Sequence, residues 1–172
     1  MSETRSDSRP LGTLRRSGDE RGVVRLEDVY DTGIEDLWSA LTEPERLARW
    51  LVEVDGDDLR VGGEVQARFT STWTGPARID VCQAPHRLVV TLDPGDEDET
   101  ELEAILTPEG ERTRLVIEER GLPVSALAGH GAGWQAHVDD LVAYLAGSET
   151  GSWRERWVAL TPAYEEIAAA LD

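Results

Sequence analysis

The chain has 172 residues, and its 17 basic side chains, all of them arginine, face 35 acidic ones for a formal net charge of −18 at pH 7. A chain this acidic has no positive face for phosphates or an anionic leaflet, which excludes nucleic-acid and membrane-surface roles. One cysteine, Cys82, rules out an internal disulfide framework, and no apolar run approaches the roughly 18 residues that span a bilayer.

Residues 1–20 combine Ser, Arg, Asp, Gly and Pro with Leu11 and Leu14 as the sizeable apolar groups. Such a stretch buries too little to offset its ordering entropy and is expected as a flexible tail. It contains no apolar segment of signal-peptide length, so the expected location is the cytoplasm. Residues 21–30 read as a strand ending at Asp31-Thr32-Gly33. A helix follows, with Ile34, Leu37, Trp38 and Leu41 on one face and a capping box of Thr32 and Glu35. Thr42 and Glu45 repeat that box around Pro44 and start a second short helix carrying Leu47, Trp50 and Leu51.

Period-two alternation then predicts a meander of antiparallel strands with one buried face. In 64–73 the residues Val65, Ala67, Phe69, Ser71 and Trp73 share the inner side. Gly75-Pro76 is expected to turn the chain into 77–83, where Ile79 and Val81 point inward and Cys82 outward. Strand 87–92 places Leu88, Val90 and Leu92 inside, and after the acidic stretch 93–101, read as a solvated hairpin tip, strand 100–106 does the same with Leu102, Ala104 and Leu106. Pro108-Glu109-Gly110-Glu111 closes a hairpin into 112–120, with Leu115, Ile117 and Glu119 in one phase. Residues 122–132 hold Pro123, Gly129 and Gly131 and read as an irregular loop. The longest helix, 133–146, presents Trp134, Val138, Leu141 and Leu145 to the sheet and ends at Gly147. Ser152 with Glu155 caps a further helix bearing Trp153, Trp157 and Leu160, and Thr161-Pro162 restarts a turn with Tyr164, Ile167 and Leu171. The expected organisation is a tail over 1–20, a domain over 21–147 and a helical extension over 148–172.

The order of elements resembles the helix-grip fold of the START-like (SRPBCC) superfamily. The segments LWSALTEPERLARWL (37–51), DLRVGG (58–63) and GAGWQAHVDDLVAYL (131–145), with TPAYEEI (161–167) near the end, resemble the branch named for the activator of heat-shock protein 90 ATPase and its homologues, over about residues 23–146. The resemblance implies an α+β domain in which a curved antiparallel sheet wraps round a long C-terminal helix and leaves an elongated cavity. Members of that family bind lipids, polyketides or other hydrophobic molecules, and some catalyse cyclisation or dehydration.

A cavity of that kind draws its lining from inward positions: Trp50, Phe69, Ser71, Trp73, Ile79, Val90, Leu102, Ile117, Trp134, His137 and Leu141, with Val81, Leu88, Leu115 and Val138 beside them. Trp50 and Trp73 are expected near the mouth as flat apolar walls. His137 lies at the flank of the helix stripe and Glu119 is the one inward acid, so these two are the candidates for acid–base chemistry. His130 and His137 are seven apart with no carboxylate completing a known ligand spacing, and 93–101 lacks the spacing of an EF-hand loop; neither a metal nor a cofactor is expected. The sequence thus supports binding of a small hydrophobic ligand without dedicated catalytic residues. The alternatives are a cyclase or dehydratase acting on an aromatic polyketide-like substrate, in which His137 and Glu119 converge within hydrogen-bond reach on one void, and a co-chaperone-like or homodimeric interaction module using 152–171.

Overall fold

In a computed structural model, residues 11–56 and 60–171 are described. The expected tail therefore lies partly outside the described residues, which exclude 1–10. Eight antiparallel strands form one curved sheet: β1 (Thr13–Arg16), β2 (Arg21–Tyr30), β3 (Val52–Asp55), β4 (Glu64–Phe69), β5 (Thr74–Gln83), β6 (Arg87–Leu92), β7 (Thr100–Glu109) and β8 (Arg112–Pro123), in the spatial order β1-β2-β8-β7-β6-β5-β4-β3. Helices α1 (Ile34–Thr42) and α2 (Pro44–Trp50) connect β2 to β3, and α3 (Leu127–Leu145) and α4 (Trp153–Ala169) follow the last strand. This is the helix-grip arrangement: α3 crosses the concave face and buries Leu127, Ala132, Trp134, Val138 and Leu141. Among the described residues no helix is long and apolar enough to cross a membrane.

Several expectations change on contact with the tertiary structure. Residues 13–16, assigned to the tail, pair with β2 as an edge strand, because Leu14 finds a buried site (6% exposed) beside Gly131 and the Tyr164 ring. Neither expected capping box forms. Gly33 and Glu43 are the N-caps, while the Thr32 hydroxyl donates to Asp36 and the Thr42 hydroxyl to the Trp38 carbonyl. The turn foreseen at Gly75-Pro76 lies earlier, at 70–73 with Thr72 at φ +79°, and Gly75 and Pro76 belong to β5. A bulge in β5 between Ile79 and Val81 reverses the phase beyond it: Cys82 pairs with inward Leu88, and Val81 pairs with Val89. Val81 is thereby removed from the inner face that alternation assigned to it.

The largest correction concerns 122–132. Leu122 and Pro123 end β8, Val124–Ala126 make a single 3-10 turn, and helix α3 already begins at Leu127. Gly129, Gly131 and Gly133, which locally discourage helix, are the surface on which α4 lies. A Cβ on Gly131 would sit 2.5 Å from the Tyr164 ring, and one on Gly133 would sit 3.2 Å from Trp153. The indoles of α4 donate to the backbone so exposed, Trp153 Nε1 to the Gly133 carbonyl at 3.1 Å and Trp157 Nε1 to that of Gly129 at 2.9 Å. Tyr164 completes the contact, its hydroxyl donating to Gln135 Oε1 at 2.8 Å and accepting from the Gly12 N–H at 2.6 Å. Helix α4 is capped by Ser152, whose Oγ accepts from the Glu155 N–H, as the sequence leads one to expect. It runs through Pro162 without a restart, since the hydrogen bond that a proline lacks would have gone to Val158, whose exposed position leaves its carbonyl to water.

These packing relations give neighbouring glycines opposite responses to the same substitution. Gly131→Ala drives a methyl into the Tyr164 ring and is expected to cost about 1–3 kcal/mol. Gly129→Ala meets nothing within 4 Å and gains helix propensity, a stabilisation of about 0.5–1 kcal/mol. Urea unfolding of the two variants checks the signs.

Candidate functional site

Two adjacent cavities lie between the sheet and the helices. The larger, about 510 Å³, is lined by the end of β4 and the following turn (Phe69, Ser71, Trp73), the β6–β7 connection (Asp93, Asp98), the far ends of β7 and β8 (Thr100, Glu119, Leu122), the start of α3 (Gly129, His130, Gly133, Trp134, His137) and the first turns of α4 (Trp153, Trp157). The smaller, about 180 Å³, lies deeper, against α1 and α2, and is lined by Leu41, Leu47, Trp50, Ile79, Val90, Leu102, Ala104 and Ile117 among others. Phe69, Leu92 and Trp134 line both and form the wall between them.

Of the residues singled out in the sequence, Phe69, Ser71, Trp73, Trp134, His137 and Glu119 meet in the larger cavity. Trp50, Ile79, Val90, Leu102 and Ile117 belong to the smaller one. Leu141 lines neither and is fully buried core. Trp50 is not at the mouth: it is fully buried, its indole N–H donates to the Ala40 carbonyl at 3.0 Å, and it pins α2 to α1. The residues that sequence alone does not indicate are Trp153, Trp157 and His130, and the reason is shared. The tryptophans reach the cavity only through the glycine-lined docking of α4 on α3, and His130 lies on a helical turn where a loop was expected. The stripe 152–171, considered as a partner surface, thus turns Trp153, Trp157 and Tyr164 to α3 of its own chain. The hairpin connection 93–99 is likewise not wholly solvated, since Asp93 and Asp98 border the larger cavity.

An aromatic chain runs through this site. The Phe69 ring stands edge-on to Trp73 and Trp134 at 5.6 and 6.4 Å, His137 contacts Phe69, Trp134 and Trp153 at 5.9, 5.4 and 5.4 Å, and Trp153 stacks on Trp157 at 5.8 Å. Within this apolar shell one acid is buried. Glu119, 3% exposed, accepts from Trp134 Nε1 at 2.9 Å and His130 Nδ1 at 3.1 Å on one oxygen, and from the Thr100 hydroxyl at 2.9 Å on the other. Burial would raise its pKa, but the hydrogen bonds and the charge of His130 outweigh that and hold it below the usual carboxylate value. His130 responds in kind: desolvation favours the neutral ring, Glu119 favours the charged one, and the net shift is upward from 6.5. His137 behaves oppositely. Its ring is 4% exposed among aromatics, and burial, with the nearby positive Arg156, pushes its pKa down to about 3. Glu119 is therefore paired with His130; His137 instead lies 3.4 Å from the Thr70 hydroxyl. Among the described residues no group of three His, Cys, Asp or Glu side chains is arranged to hold a metal ion.

Residues 31–146 match the model of the family described as activator of Hsp90 ATPase homolog 1-like protein. The chain is similar to the crystal structure of CalU16 from Micromonospora echinospora, with a TM-score of 0.75 and 25% identity over 92% of this chain and 98% of that one. The solution structure of the same protein gives 0.76 and 22% identity over 99% of both chains. DynU16, a protein of the dynemicin biosynthetic locus, is similar in fold at a TM-score of 0.67 and 24% identity, over 74% of this chain and 48% of DynU16. No curated protein matches the sequence at a significant level.

The two histidines have opposite linkage to pH. A His137 ring with a folded pKa near 3 and an unfolded value of 6.5 binds fewer protons in the native state between those limits, so its contribution to stability falls as pH drops below 6.5. His137→Phe keeps the aromatic contacts and removes that loss. Relative to the wild type the variant is expected to gain about 2–3 kcal/mol between neutral pH and about two pH units below 6.5. Denaturant unfolding at the two pH values measures it.

Proposed function

The chain belongs to the activator of Hsp90 ATPase homolog 1-like family of the START-like superfamily, and on that premise we propose that it binds a small, flat, apolar molecule in the larger cavity. The observation that carries this reading is a void of about 510 Å³ whose walls include Phe69, Trp73, Trp134, Trp153 and Trp157. The cavity is a cleft partly open to solvent, so a ligand reaches its aromatic walls without unfolding of the domain. It lies within the range of about 300–1,000 Å³ typical of ligand sites, and its aromatic walls offer stacking faces. Recognition is then by apolar shape. The net charge of −18 works against free anions in the surrounding solvent, so the favoured ligand arrives neutral.

The wall shared by the two cavities supports a further element of the reading. Phe69 and Trp134 separate them, and a longer apolar chain enters the smaller cavity when the Phe69 ring swings aside. The α4 tryptophans act as the side wall in this proposal, which makes residues 148–172 part of the binding unit. A cytoplasmic location accords with a carrier or sequestering role of this kind.

The reading is tested with the neutral fluorescent probe N-phenylnaphthylamine. Saturable one-to-one binding with energy transfer from tryptophan is expected. Ser71→Trp, which fills the larger cavity from its rim, is expected to weaken binding by about tenfold or more while the thermal midpoint moves by only a few degrees. Absence of saturable binding, or equal binding by Ser71→Trp, overturns the proposal.

A further inference from the structure

Among the polar groups set between the aromatic walls of the larger cavity, one pair has a specific geometry. The His130 Nδ1–H points to Glu119 Oε1 at 3.1 Å, and Glu119 is itself fixed by Trp134 and Thr100. With Nδ1 committed to a carboxylate, the ring's tautomer and orientation are set, and Nε2 is the ring atom left available to a ligand of the cavity that His130 lines. Among the described residues the His130 ring has no other hydrogen-bond partner, and its side chain is 45% exposed. A buried carboxylate holding one side of an imidazole stabilises the imidazolium form, in which Nε2 is an N–H donor sharing positive charge. Among the described residues no arginine lines this cavity. We propose that the His130–Glu119 pair is an oxyanion site, which holds the conjugate base of an acidic phenol or enol borne by an aromatic ligand of the larger cavity. The site presupposes that the cavity takes an apolar ligand.

The charge balance favours delivery of the ligand as the neutral hydroxyl. The groups facing the cavity from its other walls are Asp93 and Asp98 on the β6–β7 connection and His137 on α3, besides Glu119 on β8. The two aspartates oppose an entering anion, and His137 is neutral at ordinary pH and contributes no charge. A neutral phenol meets no such barrier. Once bound, its O–H bond breaks and an N–H bond forms at a neutral His130 Nε2, or the proton leaves to solvent where the ring is already charged. Both routes end in the same phenolate–imidazolium–carboxylate row. Oxygen conjugated to an aromatic system suits the site doubly, since its ring stacks on Trp153 or Trp73 while its charge is shared with the imidazolium.

Umbelliferone and its methyl ether provide the test, because the phenolate of umbelliferone has its own absorption band and the ether cannot ionise. The phenol is expected to bind about tenfold more tightly than the ether, and to ionise about one pH unit lower when bound than when free. In His130→Gln the affinity ratio falls to about one and the ionisation shift disappears; in Asp98→Asn the shift grows. If the two compounds bind equally with no ionisation shift, or if His130→Gln retains the shift, the oxyanion site is wrong while the apolar cavity stands. If neither compound binds, the oxyanion site is wrong, and binding of N-phenylnaphthylamine decides separately whether the apolar cavity stands.

Discussion

A carboxylate taken out of water costs several kcal/mol unless its oxygens find donors. Glu119 meets that requirement by drawing the Thr100 hydroxyl from β7, the His130 ring from the first turn of α3 and the Trp134 indole from the next turn. The three donors come from elements that chain connectivity alone leaves free to separate, so satisfying one acid fastens the start of α3 against the far end of the sheet. The hydrogen bond orients the Trp134 indole toward β8, and that ring divides the two cavities. The beginning of α3 is thereby anchored with its glycines turned outward, and those glycines receive α4. Fold, cavity and polar site thus share one interaction.

The remaining acids are handled differently. On the outer face of the sheet Glu103 stands directly opposite Glu118, a like-charge pair that would weaken the ladder if left alone. Arg120 lies among Glu101, Glu103 and Glu118 with contacts of 2.8–2.9 Å, Arg87 adds a second partner to Glu103 at 2.6 Å, and Arg25 and Arg114 both reach Glu27. Burial alone would raise the Glu103 pKa, and the Arg87 and Arg120 guanidiniums instead hold it below the usual value. Exposed pairs contribute about 0–1 kcal/mol each, so the network's main effect is to relieve repulsion within a chain of net charge −18. Most of the charge is kept on the outside of the sheet, while Glu119 and Asp28 are acids in the inward phase of β8 and β2.

His130 and His137 are two helical turns apart on α3 and line the same void, yet their environments separate them. One shares its proton with a carboxylate and half meets solvent; the other is enclosed by Phe69, Trp134 and Trp153 with Arg156 nearby. The sequence reading paired Glu119 with His137 because both fell in inward phase. The structure pairs it with His130, since the earlier onset of α3 brings that ring within reach of β8.

The sequence by itself determined the alternation of β4, β6, β7 and β8, the two short helices after β2, the stripe of α3 that covers the concave face and the inward phase of Glu119. These follow from periodicities of 2.0 and 3.6 residues, which are local properties of the chain. Only the tertiary structure decided where contact overrides local preference. Gly129 and Gly131 read as part of a loop and are helical, and at Gly131 and Gly133 the bare backbone admits the α4 side chains Tyr164 and Trp153. Residues 13–16 read as tail and form a strand because Leu14 finds a pocket at Tyr164. The β5 bulge exchanges the faces of Val81 and Cys82 because one unpaired residue reverses a period of two. Trp153, Trp157 and His130 enter the cavity for the same reason: their neighbours there are far away in sequence, and side-chain approach across elements leaves no periodic trace in the chain.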